Sequence, residues 1–299
     1  MLVSSLIEKK SDADQNDIVQ RHNRPIGVLL VEAGALARNS VDMVQLHQKR
    51  EKDVLFGQAA VKLGLVTQRD VDRALARQFD VDYLIVGDSN ISSEIFAAYH
   101  PSAPETKALR RLRTTLLMMH FDRDIDARAL AITSAHRLDG RSVLAANLAV
   151  MFAQIGKRTL LIDADLRNPR QHELFGFKNP KGLSSILANR DSTEIIEHVG
   201  DLNNLFVLPA GISPPSPQDL IGRSIFPMLI NELGKQFDIV LIDTPPANKY
   251  SDAHIISAAA GNALVVARDN FSQVAAVQEM AESFAQSGVN LLGSVLNKF

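Results

Sequence analysis

Residues 132–142, ITSAHRLDGRS, have the make-up of a loop that cradles phosphate, with several positions changed. The general pattern is G-x-x-x-x-G-K-[ST] between a strand and a helix. Its glycines let the backbone approach phosphate, its lysine reaches the anion, and its hydroxyl sits on Mg²⁺. Here Gly140, Arg141 and Ser142 close the loop, Ala135 takes the place of the first glycine, and Leu138 stands where many such loops carry another. Asp139, Gly140, Arg141, Ser142 and Val143 are therefore the candidate nucleotide-binding residues, with the N–H groups at the start of the next helix facing the anion. Arginine keeps the positive charge and can grip phosphate through two N–H groups, but it does not reproduce a lysine point charge on a phosphate in transfer. Nucleotide binding is expected to survive the change better than turnover.

Two further stretches supply carboxylates: LLIDADLRNP (160–169) and FDIVLIDTPP (237–246). Asp163 and Asp165 lie two apart at the end of an apolar run, so strand alternation would send both to one side. Such a pair attracts a hard cation. Asp243 ends the second run as the Mg²⁺-binding aspartate of a nucleotide site does. A lone aspartate in such a place is more often a helix N-cap; three motifs in the right order speak for a site.

Positioning these residues takes alternating strands and helices. From Ala129 on, ALAITSA, TLLIDAD, NLFVLPA, DIVLIDT, ALVVARD and LLGSVLN read as strands, with RSVLAANLAVMFAQIG and VAAVQEMAESFAQSG among the helices between them. Short apolar runs of this kind suit strands buried on both faces. The expected fold is α/β, a doubly wound and mostly parallel P-loop sheet, preceded by a small helical N-terminal domain.

That first domain is a repeat. PIGVLLVEAGALARNSVDMVQLHQ (25–48) is echoed by LFGQAAVKLGLVTQRDVDRALARQ (55–78), with Gly27 matching Gly57, Gly34 matching Gly64, and Gln48 matching Gln78. Each copy reads as a helix, a glycine turn, an N-cap region at Ser40 or Thr67–Asp70, and a second helix. Residues 1–20 read as a mobile tail, 21–86 as the repeat domain, 87–106 as a Ser/Pro/Ala-rich linker and 107–299 as the P-loop domain. Within the last, KALRRLRTTLLMMHF (107–121) has helical spacing.

Composition excludes several classes. The chain has 299 residues and a formal net charge of -2, which leaves no electrostatic footprint for nucleic acid. It has no cysteine, hence no disulfide framework and no thiolate metal site. No apolar run is long enough to span a membrane and the N-terminus has no signal-peptide pattern, so a soluble, cytoplasmic protein is expected.

TSAHRLDGRSVLAANLAV, LLIDADLRNP, LPAGISPPSPQDLI and FDIVLIDTPP closely resemble the corresponding motifs of bacterial tyrosine autokinases, over about 185 residues from Arg113 to Phe299. Those proteins are the cytoplasmic P-loop partners of membrane polysaccharide co-polymerases. With its repeat domain the chain looks like the subgroup tied to exopolysaccharide chain length. The resemblance implies ATP and Mg²⁺ as cofactors, a co-polymerase (chain-length determinant) as partner, and a place at the inner membrane held through that partner. It implies that Gly140, Arg141 and Ser142 hold the β- and γ-phosphates, and that Ser142, Asp165 and Asp243 hold Mg²⁺. Asp163 would orient or deprotonate the attacking tyrosine hydroxyl, making Asp163 and Arg141 the catalytic pair. Arg110 and Arg113 match the family's E-x-x-R-x-x-R motif, through which a homo-oligomeric ring forms. Lys107 replaces the glutamate, which turns an attractive contact between subunits into a like-charge pair.

The repeat domain resembles the N-terminal domain of type II secretion ATPases, some of which bind cyclic di-GMP through paired motifs. Pro25 and Leu55 replace the arginine that opens each motif, so a protein-docking module is expected rather than a dinucleotide site. The tyrosine cluster that closes the family's chains has no counterpart among these 299 residues. The tyrosines are Tyr83, Tyr99 and Tyr250, and Tyr99, in the expected linker, has the freedom to travel. Two other readings stay open. One is a nucleotide-gated scaffold; the other is a ParA/MinD-type positioning ATPase, whose second loop lysine is missing from Ala135–Arg137.

Overall fold

The computed structural model describes residues 24–298 apart from 52, 79–82, 85, 86, 88, 102, 123–127, 179, 180 and 191–194; the tail expected at 1–20 lies outside the described residues. The chain divides into two compact units, a smaller one within residues 9–89 and a larger one holding 90–299.

In the smaller unit the two sequence copies fold as two similar helix pairs. They are α1 (Ile26–Glu32) with α2 (Val41–Arg50), and α3 (Phe56–Lys62) with α4 (Gln68–Gln78). Gly34 and Gly64 end the first helix of each copy at φ +70° and +68°, a conformation that costs a side chain and suits glycine. Thr67 and Asp70 cap α4 reciprocally: the Thr67 N–H donates to Asp70 Oδ2 (2.9 Å) and the Asp70 N–H to Thr67 Oγ1 (3.3 Å). The other matched glycines serve packing. A Cβ on Gly57 would lie 2.6 Å from Val71 Cγ1, and one on Gly27 3.0 Å from the Phe56 ring. Leu29, Leu30 and Val44 from one copy and Ala59, Ala60 and Val71 from the other share one core.

The larger unit is built on a seven-stranded sheet. Its strands are β1 (Ala129–Thr133), β2 (Thr159–Asp163), β3 (Glu197–His198), β4 (Leu205–Leu208), β5 (Ile239–Asp243), β6 (Asn262–Arg268) and β7 (Asn290–Asn297). Their order is β3-β4-β2-β5-β1-β6-β7, parallel throughout except for the β3/β4 pair. The six expected strands are present; β3, two residues long, carries too little pattern to read from sequence.

The helices of this unit are α5 (Phe96–Tyr99), α6 (Pro104–Leu116), α7 (Arg141–Ala153), α8 (Gln171–Leu174), α9 (Leu183–Leu187), α10 (Pro217–Ile221), α11 (Ile225–Gly234), α12 (Asp252–Ala260) and α13 (Val274–Gln286). β1, β2 and β5 are buried along their whole length, which is why they read as unbroken apolar runs. Ala131, Ile162 and Ile242 from the sheet join Phe226, Ile256 and Phe284 from α11–α13 in one core layer. Leu130, Ile132, Leu161 and Leu241 are buried outside that layer, on the other face by strand alternation, and α7 packs against β1, β2 and β5.

Residues 90–99, expected within a linker, are a packed part of this unit. Ile91, Ile95, Ala97, Ala98 and Tyr99 are buried. Asn147 on α7 brackets the segment, its Oδ1 accepting the Ala97 N–H (2.9 Å) and its Nδ2 donating to the Glu94 carbonyl (2.9 Å). The Ser92 N–H donates to the Leu174 carbonyl at 2.8 Å. Small residues suggested a linker, but here they are small because the chain lies close against α7. Tyr99 is correspondingly fixed, not free: its hydroxyl donates to the Ile91 carbonyl at 2.5 Å.

Candidate nucleotide-binding site

The loop after β1 turns into α7 through two residues with positive φ, Leu138 at +69° and Gly140 at +93°. Glycine at 140 is the residue that geometry asks for; leucine at 138 is not, and its side chain is 65% exposed. Because α7 begins at Arg141, the N–H groups of Arg141, Ser142 and Val143 have no partner within the helix and face outward at its positive end.

Arg141 takes an unexpected course. It is buried, and its Nε donates to the Thr244 carbonyl (2.9 Å) while Nη1 donates to the His136 carbonyl (2.7 Å) and to Ser134 Oγ. The side chain thus ties the loop and the start of α7 to the end of β5. Burial lowers the guanidinium's pKa, and Asp243, Asp165 and Asp139 act in the opposite direction. Asp139 is a second brace: its Oδ2 accepts the His136 N–H (2.9 Å) and its Oδ1 accepts from Ser272 Oγ (2.7 Å), while its carbonyl accepts from Asn297 Nδ2 (2.8 Å). Its carboxylate shapes the loop and is fully buried.

The carboxylates divide into different tasks. Asp163 and Asp243 are register partners across β2 and β5, and both are fully buried. Asp163 Oδ2 accepts the N–H groups of Arg170 (3.0 Å) and Gln171 (2.9 Å) at the start of α8, and its Oδ1 accepts that of Asp165 (3.2 Å). β2 ends at Asp163, so the alternation expected for Asp163 and Asp165 stops there and the two side chains part. Asp165 Oδ1 accepts the N–H groups of Arg167 (3.1 Å) and Asn168 (2.9 Å) in a tight turn, and Asp165 faces a cavity. Burial raises the Asp163 pKa well above the ordinary range, with Asp243 adding to the effect. Burial also raises Asp243, to about 6, against the opposing pull of Arg141, Ser142 and Gln171.

That cavity, of about 410 Å³, is bounded by Arg137, Leu138 and Gly140–Val143 on the loop side, and by Asp165, Asn168–Arg170 and Glu173 opposite. It falls within the size range of small-ligand sites. Behind its wall Gln171 Nε2 donates both to Asp243 Oδ2 (2.8 Å) and to the Ser142 carbonyl (3.1 Å). Asp243 Oδ1 is buried with no hydrogen-bond partner. An orphaned carboxylate oxygen beside a hydroxyl residue and a second carboxylate fits Mg²⁺, which takes one or two protein carboxylates and completes its shell with phosphate and water. Among the described residues no group of three or more His, Cys, Asp or Glu forms a metal cage of its own.

Of the expected site residues, Gly140, Arg141, Ser142, Val143 and Asp165 line the cavity, Asp243 lies behind it on Gln171, Asp163 is bonded to the start of α8, and the Arg141 guanidinium and Asp139 carboxylate are bonded inward. Gln171 and Arg170 also belong to the site, though their types after LLIDADLRNP carry no recognisable signal. The predicted oligomerisation residues bond within their own unit: Arg110 Nη2 donates to the Pro101 carbonyl (2.8 Å) and Arg113 Nη1 to the Met151 carbonyl (3.1 Å).

The AAA domain family matches residues 130–292. The chain is 34% identical to CapB of Staphylococcus aureus over 206 residues, 69% of this chain and 90% of CapB. It is also 34% identical to the tyrosine-protein kinase YwqD of Bacillus subtilis over 209 residues, 70% of this chain and 87% of YwqD. The chain belongs to the bacterial tyrosine-protein kinase family. The kinase domain of Escherichia coli tyrosine kinase ETK superposes with a TM-score of 0.65 at 33% identity, covering 68% of this chain and 79% of that one. The mostly parallel, seven-stranded α/β sheet is the fold expected from the sequence. In this chain the loop arginine is turned inward and a leucine occupies a left-handed position.

Proposed function

We propose that the chain is an ATP-binding, tyrosine-kinase-like protein that controls exopolysaccharide polymerisation, export and chain length together with a membrane polysaccharide co-polymerase. The observation that carries the nucleotide part is the meeting of the α7 N-terminus, Asp165 and Ser142 at one cavity, with the orphaned Asp243 oxygen behind Ser142. The N–H groups of Arg141–Val143 receive phosphate oxygens there, and Gly140 permits the approach. Ser142, Asp165 and Asp243 hold Mg²⁺, which when bound neutralises phosphate charge in the transfer. Asp163 orients this wall through the Arg170 and Gln171 N–H groups; taking a proton from a tyrosine hydroxyl would require those bonds to open. Family membership supports protein tyrosine as acceptor.

The inward Arg141 favours a second reading, a nucleotide-gated scaffold with little turnover, because the loop's own cation is engaged elsewhere. Purified protein incubated with Mg·ATP and its co-polymerase, followed by phosphotyrosine mapping, separates the two: phosphate on the partner marks the kinase, and binding without transfer marks the scaffold. No helix among the described residues is long and apolar enough to cross a membrane, in line with attachment through a partner. The repeat domain serves as the protein-docking module, with Pro25 and Leu55 in place of the arginines of a cyclic di-GMP site.

A further inference from the structure

A phosphate-binding cavity needs a cation that can reach the anion, and Arg141 is bonded to two carbonyls and a hydroxyl. Two other arginines line the cavity, Arg137 and Arg170. Arg137 stands on the exposed part of the loop. Arg170 starts from a fixed point, because its N–H is held by Asp163 Oδ2 at 3.0 Å. Its side chain is 41% exposed, and its Nη2 donates to Glu94 Oε1 at 2.8 Å. Glu94 is fixed in turn, its carbonyl held by Asn147 Nδ2 on α7, the helix that begins at the phosphate loop.

We propose that Arg170, rather than Arg141, is the guanidinium that meets the nucleotide phosphates, and that Glu94 holds it in reserve until nucleotide arrives. The proposal rests on reading the cavity as a nucleotide site. An ion pair with both partners this exposed is weak, since solvent screens it. A phosphate offers more charge and a geometry suited to two parallel N–H bonds, so it wins the competition for the same guanidinium. The exchange asks for rotation of one long side chain on an anchored backbone. A phosphate contact through Nη2 is made at the expense of the Glu94 bond, while Glu173 Oε2, 4.0 Å from Nε, is the other carboxylate this guanidinium faces.

Calorimetric titration of the full chain with Mg·ATP and Mg·ADP tests this. Arg170→Gln should weaken both by about tenfold or more, and Arg170→Lys, which keeps the charge, by roughly threefold. Glu94→Gln should tighten binding by about two- to fivefold in the wild-type background and have no effect beside Arg170→Gln. Affinity within twofold of wild type for Arg170→Gln overturns the assignment. A Glu94→Gln effect of equal size in both backgrounds overturns the reserve role. If the wild-type chain binds neither nucleotide, the cavity reading falls and this one with it; if it binds both and Arg170→Gln is normal, only this one falls.

Discussion

Arg141 Nε donates to the main-chain carbonyl of Thr244 at 2.9 Å, joining the first residue of α7 to the residue that follows β5. The same guanidinium bonds the loop at Ser134 and His136, so three segments depend on one side chain. A lysine ammonium on a flexible stem cannot span those acceptors. Arg141→Lys is therefore expected to lower stability by about 1–3 kcal/mol, the cost of leaving buried acceptors short of donors. Nucleotide affinity should be retained or rise as the cation is released toward the cavity. Urea unfolding beside calorimetry checks both; unchanged stability would show that the inward bonds carry no weight.

Leu138 lies at φ +69° with its side chain largely in solvent. The left-handed region costs a non-glycine residue about 1–2 kcal/mol, while glycine adds roughly 0.5–1 kcal/mol of unfolded-state entropy. Leu138→Gly is expected to stabilise the metal-free chain by about 0.5–1 kcal/mol, with the loop geometry preserved. A stability loss of similar size would mean that the leucine makes contacts worth more than its strain.

How much of this was legible in the sequence differs from residue to residue. The strands and α7 were, because β1, β2 and β5 are buried on both faces and leave apolar runs. Gly34 and Gly64 announced their turns through the repeat, since positive φ selects glycine. Side-chain direction was not legible. Arg141 has the same one-letter signature whether it reaches outward to phosphate or inward to Thr244. Asp163 and Asp165 parted because β2 ends between them, a boundary that an apolar run does not mark. Residues 90–99 misled for a third reason: close packing against α7 and flexible linkage both favour small residues.

Asp243, raised to about 6, and Asp163, also raised, are carboxyls that burial disfavours in the charged form. Between the unfolded and folded pKa the folded chain binds more protons than the unfolded one, so stability falls as pH rises through that window. With chelator present and no nucleotide, stability should drop from about pH 4 to pH 6 on account of Asp243, with Asp163 acting in the same direction. Asp243→Asn should flatten the first part and stabilise the metal-free chain at neutral pH by on the order of 2 kcal/mol. Thermal melts across pH read this directly; a profile of Asp243→Asn parallel to wild type would mean that Asp243 is not strained by burial.

Tyr99 is buried and its hydroxyl is bonded to Ile91, and the Tyr250 ring lies beneath the Arg167 guanidinium, 3.8 Å from carbon to ring centre. Neither is free to enter a neighbouring site. After incubation with Mg·ATP alone, mass spectrometry is expected to find Tyr99 and Tyr250 unmodified. Abundant phosphate on Tyr99 would require residues 90–99 to leave α7.

Ser142, Asp165 and Asp243 are proposed to make the loop cavity a Mg²⁺-dependent nucleotide site. Titrating the full wild-type chain with ATP, with and without Mg²⁺, beside Asp243→Asn, tests it most directly. One saturable site that strengthens at least tenfold with Mg²⁺ is expected, together with a mutant that loses most of that gain while its metal-free affinity is unchanged or higher. Absence of binding, or equal affinity with and without Mg²⁺ in both proteins, would contradict it.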